Sequence, residues 1–143
     1  MTAPPSWLTR ETASLSAAYR AQRLPHGLLI HEAPGAGGEW LAQWLAALVL
    51  CEHPERAPCG SCAGCQRVAA GQHPDLTRVQ PLEDSRQIRI EQVRELSAEL
   101  SLTAHQGRYK VALVMPADSM NRFAQPVYWL STIACRASRT RLK

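Results

Sequence analysis

The sequence predicts an α/β domain that opens with the strand, glycine loop, helix order of phosphate-binding folds, and three observations carry that prediction. Residues 27–31 (GLLIH) form a short apolar run bounded by Pro25 and by a glycine-rich loop, which reads as a buried strand. Residues 32–38 (EAPGAGG) are that loop, and residues 39–50 are an Ala- and Leu-rich stretch, apolar on nearly all faces, as a buried helix is. With 143 residues, 45% hydrophobic and 20% charged, the chain has the size and composition of one ordinary globular domain, which excludes collagen-like and disordered classes.

The remaining elements follow in order. Residues 10–23 read as an amphipathic helix ended by Pro25, since proline removes a donor and restricts the residue before it. Residues 51–65 are too rich in Pro and Gly for a regular element, and 66–70 read as one or two helical turns ended by Gly71. Residues 76–79 alternate like a second strand. Residues 88–102 carry Ile90, Val93, Leu96 and Leu100 at helical spacing with Arg and Glu between them, the mark of a surface helix with one buried stripe. Residues 109–115 (YKVALVM) are continuous and apolar, hence a central strand.

Charge and hydropathy narrow the function classes. The longest apolar stretch, 41–51, is interrupted by Gln43 and falls far short of the ~20 residues of a membrane span. The N-terminus lacks a basic segment leading into an apolar one, so a cytoplasmic location and no membrane partner are expected. The net charge of +4 resides in the tail: the twelve acidic residues are matched by twelve basic ones up to Arg122, and Arg136, Arg139, Arg141 and Lys143 follow. A neutral body argues against direct nucleic-acid binding by this chain, because such a footprint is normally a basic face of the folded domain.

Cys51, Cys59, Cys62 and Cys65 have the spacing C-x7-C-x2-C-x2-C, with Gly60, Ser61, Ala63 and Gly64 in the gaps. A tight two-residue gap lets both sulfurs reach one metal at ~2.3 Å, and tetrahedral Zn²⁺ takes four such ligands. In a reducing compartment this pattern points to structural zinc rather than to disulfides. An iron–sulfur cluster and unligated thiols are the alternatives, and His53 and His73 are the nearby nitrogen candidates, ranked below Cys51. Four thiolates leave no open position for water, so no catalysis is expected at the metal. Cys135 reads as a free thiol.

In an active phosphate-binding loop a lysine and then a Ser or Thr follow the last glycine. Pro34, Gly35, Ala36 and Gly37 keep the turn, but Gly38 and Glu39 stand at those two positions, so no functional ATP site is expected. The strand that should end in an acidic pair ends in Met115 and Pro116, which neither hold Mg²⁺ nor act as a base. Asp118 reads as a helix-start or loop residue rather than a displaced magnesium ligand. No catalytic residue is assigned.

The runs RLPHGLLIHEAPGAGG, CEHPERAPCGSCAGCQRVAAGQHPDL, IRIEQVREL and KVALVMPADSMN together resemble the delta prime subunits of bacterial DNA polymerase III, a clamp-loader AAA+ family, over about residues 7–124. The resemblance implies a RecA-like P-loop domain with a parallel sheet and a zinc-binding insert at about 51–75, whose ligands carry over to Cys51, Cys59, Cys62 and Cys65. It implies a non-hydrolysing subunit of a ring that opens the sliding clamp and loads it onto primed DNA. Its partners would be the ATPase and delta subunits of a DNA-directed DNA polymerase (nucleotidyltransferase) holoenzyme, with primed DNA reached through the complex. Two other readings are a zinc-knuckle binding module outside a clamp loader and an atypical P-loop ATPase.

The sequence departs from the family after residue 124. Residues 125–143 contain Pro126, the β-branched Val127, Thr132 and Ile133, and no acidic residue, where the family continues with a helix. The expectation is a C-terminally incomplete domain, residues 1–124, and an atypical tail, 125–143, with the character of a frameshift, disordered or only loosely docked.

Overall fold

The computed structural model describes residues 4–33, 35–106, 109–120 and, as backbone, 133–137. The chain divides into two compact units, one of residues 1–25 and 30–73, the other of 26–29 and 74–143.

The first unit is helical. α1 (Thr9–Arg20), α2 (Gly38–Leu50) and α3 (Ala63–Ala69) follow in order, and α1 and α3 both pack on α2. Apart from Gln43, every residue of α2 from Leu41 to Leu50 is buried, which explains why its sequence is apolar all round. α1 stops at Arg20, short of the predicted Arg23, and Pro25 is not what ends it. Gln22 adopts φ 54°, and the Arg23 N–H bonds back to the Ala18 carbonyl at 2.8 Å, a left-handed closure usually made by glycine. α3 closes in the same way at Gly71 (φ 70°), where one was predicted, with the Gln72 N–H on the Arg67 carbonyl at 2.8 Å.

The second unit is a four-stranded sheet with one helix packed on it. β1 (Gly27–Leu28), β2 (Leu76–Val79), α4 (Ile90–Ser101), β3 (Tyr109–Val114) and β4 (Ile133–Ala137) give the strand order β1-β4-β3-β2. β2 and β3 are parallel, with Leu76 opposite Val111 and Val79 opposite Val114, whereas β4 is antiparallel to both of its neighbours. The sheet is therefore mixed rather than parallel throughout.

β4 departs from the expectation of a tail outside the fold. β3 is buried from Lys110 to Val114, and a buried strand leaves costly unpaired backbone groups unless both of its edges are occupied. β2 takes one edge and Ile133–Ala137 the other. The remaining tail positions, 125–132 and 138–143, lie outside the described residues.

α4 buries Val93, Leu96 and Leu100 against Val79, Ile88, Ala112, Val114 and Met120, the predicted stripe meeting the predicted strands. Each such burial contributes about 1.5–3 kcal/mol. The Gln92 side chain accepts the Arg89 N–H at 3.0 Å and donates to the Gln80 carbonyl at 2.8 Å, tying the start of α4 to the end of β2. At the other end of α4 the buried Lys110 ammonium donates to the Glu99 carbonyl at 3.1 Å, which also accepts the Leu102 N–H at 3.1 Å, and places its positive charge at the helix C-terminus.

Candidate metal centre and glycine loop

The last residue of α2 hands directly to the cysteine cluster. Cys51 caps α2 in extended conformation (φ −66°, ψ 134°), which turns the chain out of the helix. A short 3-10 turn, Pro54–Arg56, follows, and Gly60 at φ 72° allows the tight turn between Cys59 and Cys62. Cys62 is the N-cap of α3: its sulfur accepts the Cys65 N–H at 3.3 Å. The helix thus starts at Ala63, inside the stretch predicted to be irregular, because a thiol takes the capping role usually given to Ser, Thr, Asp or Asn.

The four sulfurs of Cys51, Cys59, Cys62 and Cys65 lie within 4.8 Å of one another. Four ligands at ~2.3 Å around a tetrahedral ion stand about 3.8 Å apart, and the sulfurs of Cys51 and Cys62 are 3.9 Å apart. The residues fit a tetrathiolate metal, and none of the four forms a disulfide. Neither His53 nor His73 belongs to the group: the His53 N–H donates to the Cys51 sulfur at 3.4 Å, and its Nδ1 stands 4.0 Å from the Glu55 carboxylate.

The sulfurs differ electrostatically. Backbone N–H groups of Ser61 and Cys62 lower the Cys59 thiol to about 5, whereas burial pushes the Cys51 and Cys65 thiols up. In metal-free, reduced protein at about pH 6.5, Cys59 is the thiolate and the buried pair stays protonated, so iodoacetamide should label Cys59 first. Peptide mass mapping checks this, and earlier labelling of Cys65 would overturn it.

The glycine loop is shaped by its own neighbours. Gly37 at φ 100° starts α2, and the Leu41 N–H bonds to its carbonyl at 2.9 Å. The Trp7 indole N–H donates to the Ala36 carbonyl at 2.9 Å. The Gly38 N–H, in the first turn of α2, donates to the Glu32 carboxylate, and a Cβ at Gly38 would fall on that carboxylate. In a working phosphate loop such an N–H faces the ligand's phosphate. Glu32 was passed over in the sequence, although it stands five residues before Gly37, where G-x-x-x-x-G places its first glycine. Glu39 is exposed in the first turn of α2, Gly35 and Ala36 complete the turn, and Pro34 lies outside the described residues. In the second unit, β3 ends at Val114, the Met115 N–H bonds to the Val79 carbonyl at 3.0 Å, and Asp118 is exposed in the 3-10 turn Ala117–Ser119.

Among the described residues no helix is long and apolar enough to cross a membrane.

Comparison with known proteins matches residues 8–127 to the family described as DNA polymerase III, delta subunit. The chain is 43% identical over 103 residues to DNA polymerase III subunit delta' of Pseudomonas aeruginosa, covering 71% of this chain and 31% of that protein. It is 37% identical over 112 residues to the Escherichia coli K12 subunit of the same name, covering 78% of this chain and 34% of that protein. A tau/gamma subunit of Haemophilus influenzae is 27% identical over 110 residues, covering 76% of this chain and 16% of that protein. The chain spans about a third of the length of the delta' relatives. With the family profile matching most of its length and the four-cysteine cluster assembled within that match, the chain belongs to the DNA polymerase III delta' subunit family.

Proposed function

We propose that this chain has the role of a non-catalytic clamp-loader subunit, supporting the loading of the sliding clamp onto primed DNA in the cytoplasm. The observation that carries the reading is the pairing, in the first unit of a delta' family member, of a four-cysteine centre with a glycine loop whose first helical N–H is bonded to Glu32. Zinc at Cys51, Cys59, Cys62 and Cys65 is structural, joining the end of α2 to α3 and supplying no open coordination position. Residues 1–124 are the family portion with a RecA-like architecture, and 125–143 are a tail of different origin, of which 133–137 pair into the sheet; the family match, 8–127, ends three residues past that boundary. The partners are the ATPase and delta subunits, and primed DNA is met through the assembled ring.

No ATP turnover is expected. Gly38 and Glu39 offer neither the phosphate cation nor the magnesium hydroxyl, and Met115 and Pro116 offer no acidic pair. Phosphoryl transfer depends on those groups for several kcal/mol of transition-state stabilisation. Phosphate release from the purified chain with Mg²⁺ and ATP should equal the buffer blank. Release above the blank, abolished by Gly35→Ala, would sink the assignment. The clamp-loader reading itself is tested by co-purification of the chain with the ATPase and delta subunits, and failure to join them would overturn it.

A further inference from the structure

Within the metal centre, one glycine is required for space rather than for backbone conformation. Gly64 stands in the gap between Cys62 and Cys65, in the first turn of α3, and is buried. A Cβ there would lie 2.5 Å from the Leu50 carbonyl oxygen and 3.6 Å from Glu52 Cγ. The obstructing atom is backbone, in the last residue of α2, immediately before Cys51, so no side-chain rotation relieves the clash. The same residue's N–H is one of the first-turn donors that a helix leaves without an internal partner. It donates to Glu52 Oε1 at 3.1 Å, and Glu52 immediately follows Cys51.

Two contacts thus hold the Cys62 and Cys65 arm to the Cys51 arm, one by close backbone approach and one by a hydrogen bond. Both bracket Cys51 in sequence and both meet α3 between its two ligands. An ordinary contact of ~3.5 Å in place of 2.5 Å would part the arms by roughly 1 Å, whereas metal–sulfur distances tolerate only about 0.2 Å. We infer that Gly64 and Glu52 are positioning residues of the metal centre, setting the separation of Cys51 from Cys62 and Cys65 before the ion binds. The inference rests on the zinc reading of the four cysteines.

The test uses the full chain and the metals alone. Zn²⁺ affinity is measured by competition with a chromophoric chelator, and tetrahedral geometry by the visible bands of bound Co²⁺. Glu52→Ala should weaken Zn²⁺ about tenfold, within the range typical of groups that orient metal ligands. Glu52→Gln should restore most of that loss, because its amide oxygen accepts the same N–H. Gly64→Ala should weaken Zn²⁺ at least as much and shift the Co²⁺ bands away from the wild-type pattern. If Gly64→Ala does not fold, the Glu52 pair decides alone. Affinity of Glu52→Ala within twofold of wild type, or a glutamine variant as weak as the alanine one, overturns the inference while leaving the zinc reading intact. Absence of Zn²⁺ uptake by the wild-type chain defeats the zinc reading instead.

Discussion

Replacing Cys62 with serine is expected to take metal content from about one zinc per chain to near zero, and to reduce the thermal stability of the zinc-loaded protein to that of chelator-treated wild type. Structural zinc sites carry apparent binding free energies of about 10–16 kcal/mol in small zinc-finger peptides. Ligand present at a thousandfold excess over its dissociation constant adds about 4 kcal/mol to folding. Serine isolates the metal's contribution, because its hydroxyl still accepts the Cys65 N–H that Cys62 accepts at 3.3 Å and so keeps α3 capped. Elemental analysis and thermal melts with and without chelator check the result. Unchanged zinc content in the variant would remove Cys62 from the ligand set.

Asp75→Ala is expected to destabilise the second unit by about 3 kcal/mol. Asp75 is 2% exposed, and its carboxylate accepts the N–H groups of His105 and Gln106 at 2.6 and 2.8 Å, clasping the loop that leads into β3. Two hydrogen bonds to a charged acceptor contribute about 1.5–3 kcal/mol each, partly recovered by water at the exposed loop. In a fold whose total stability is about 5–15 kcal/mol this is a large fraction. Asp75→Asn retains one acceptor oxygen and should lose roughly half as much. Denaturant unfolding monitored in the second unit measures both, and a change below 1 kcal/mol for the alanine variant would show that the clasp contributes little.

The helices whose pattern is set by burial are legible in the sequence, whereas the apolar run 27–31, which reads as a buried strand, forms only the half-buried β1 with Leu29 63% exposed. α2 is apolar all round because nearly all of it is covered, and α4 shows one stripe because one face is covered. β2 lies at the predicted 76–79, although its burial does not alternate: Leu76 and Val79 are buried and Thr77 and Arg78 half-buried. The four cysteines were legible because chelation needs the short spacing and because their ligand atoms converge in space. Features made by long-range or unusual local chemistry were not legible. Gln22 in a left-handed conformation ends α1 early, and no residue preference announces glutamine there. The start of α3 depends on a cysteine acting as cap. β4 depends on an open edge of β3 that cannot be seen from residues 133–137 themselves. Glu52 and Gly64 are twelve positions apart and acquire their relation only when α3 folds back on the end of α2.

The contact between Glu32 and the Gly38 N–H has a consequence for how the glycine loop responds to its surroundings. A loop that takes its anion from solution is stabilised by mass action, and its order rises and falls with ligand concentration. Here the anion is tethered six residues away in the same chain, so its effective concentration is fixed by the tether and does not vary with the medium. Occupancy of this N–H by Glu32 is therefore set by the geometry of the chain itself.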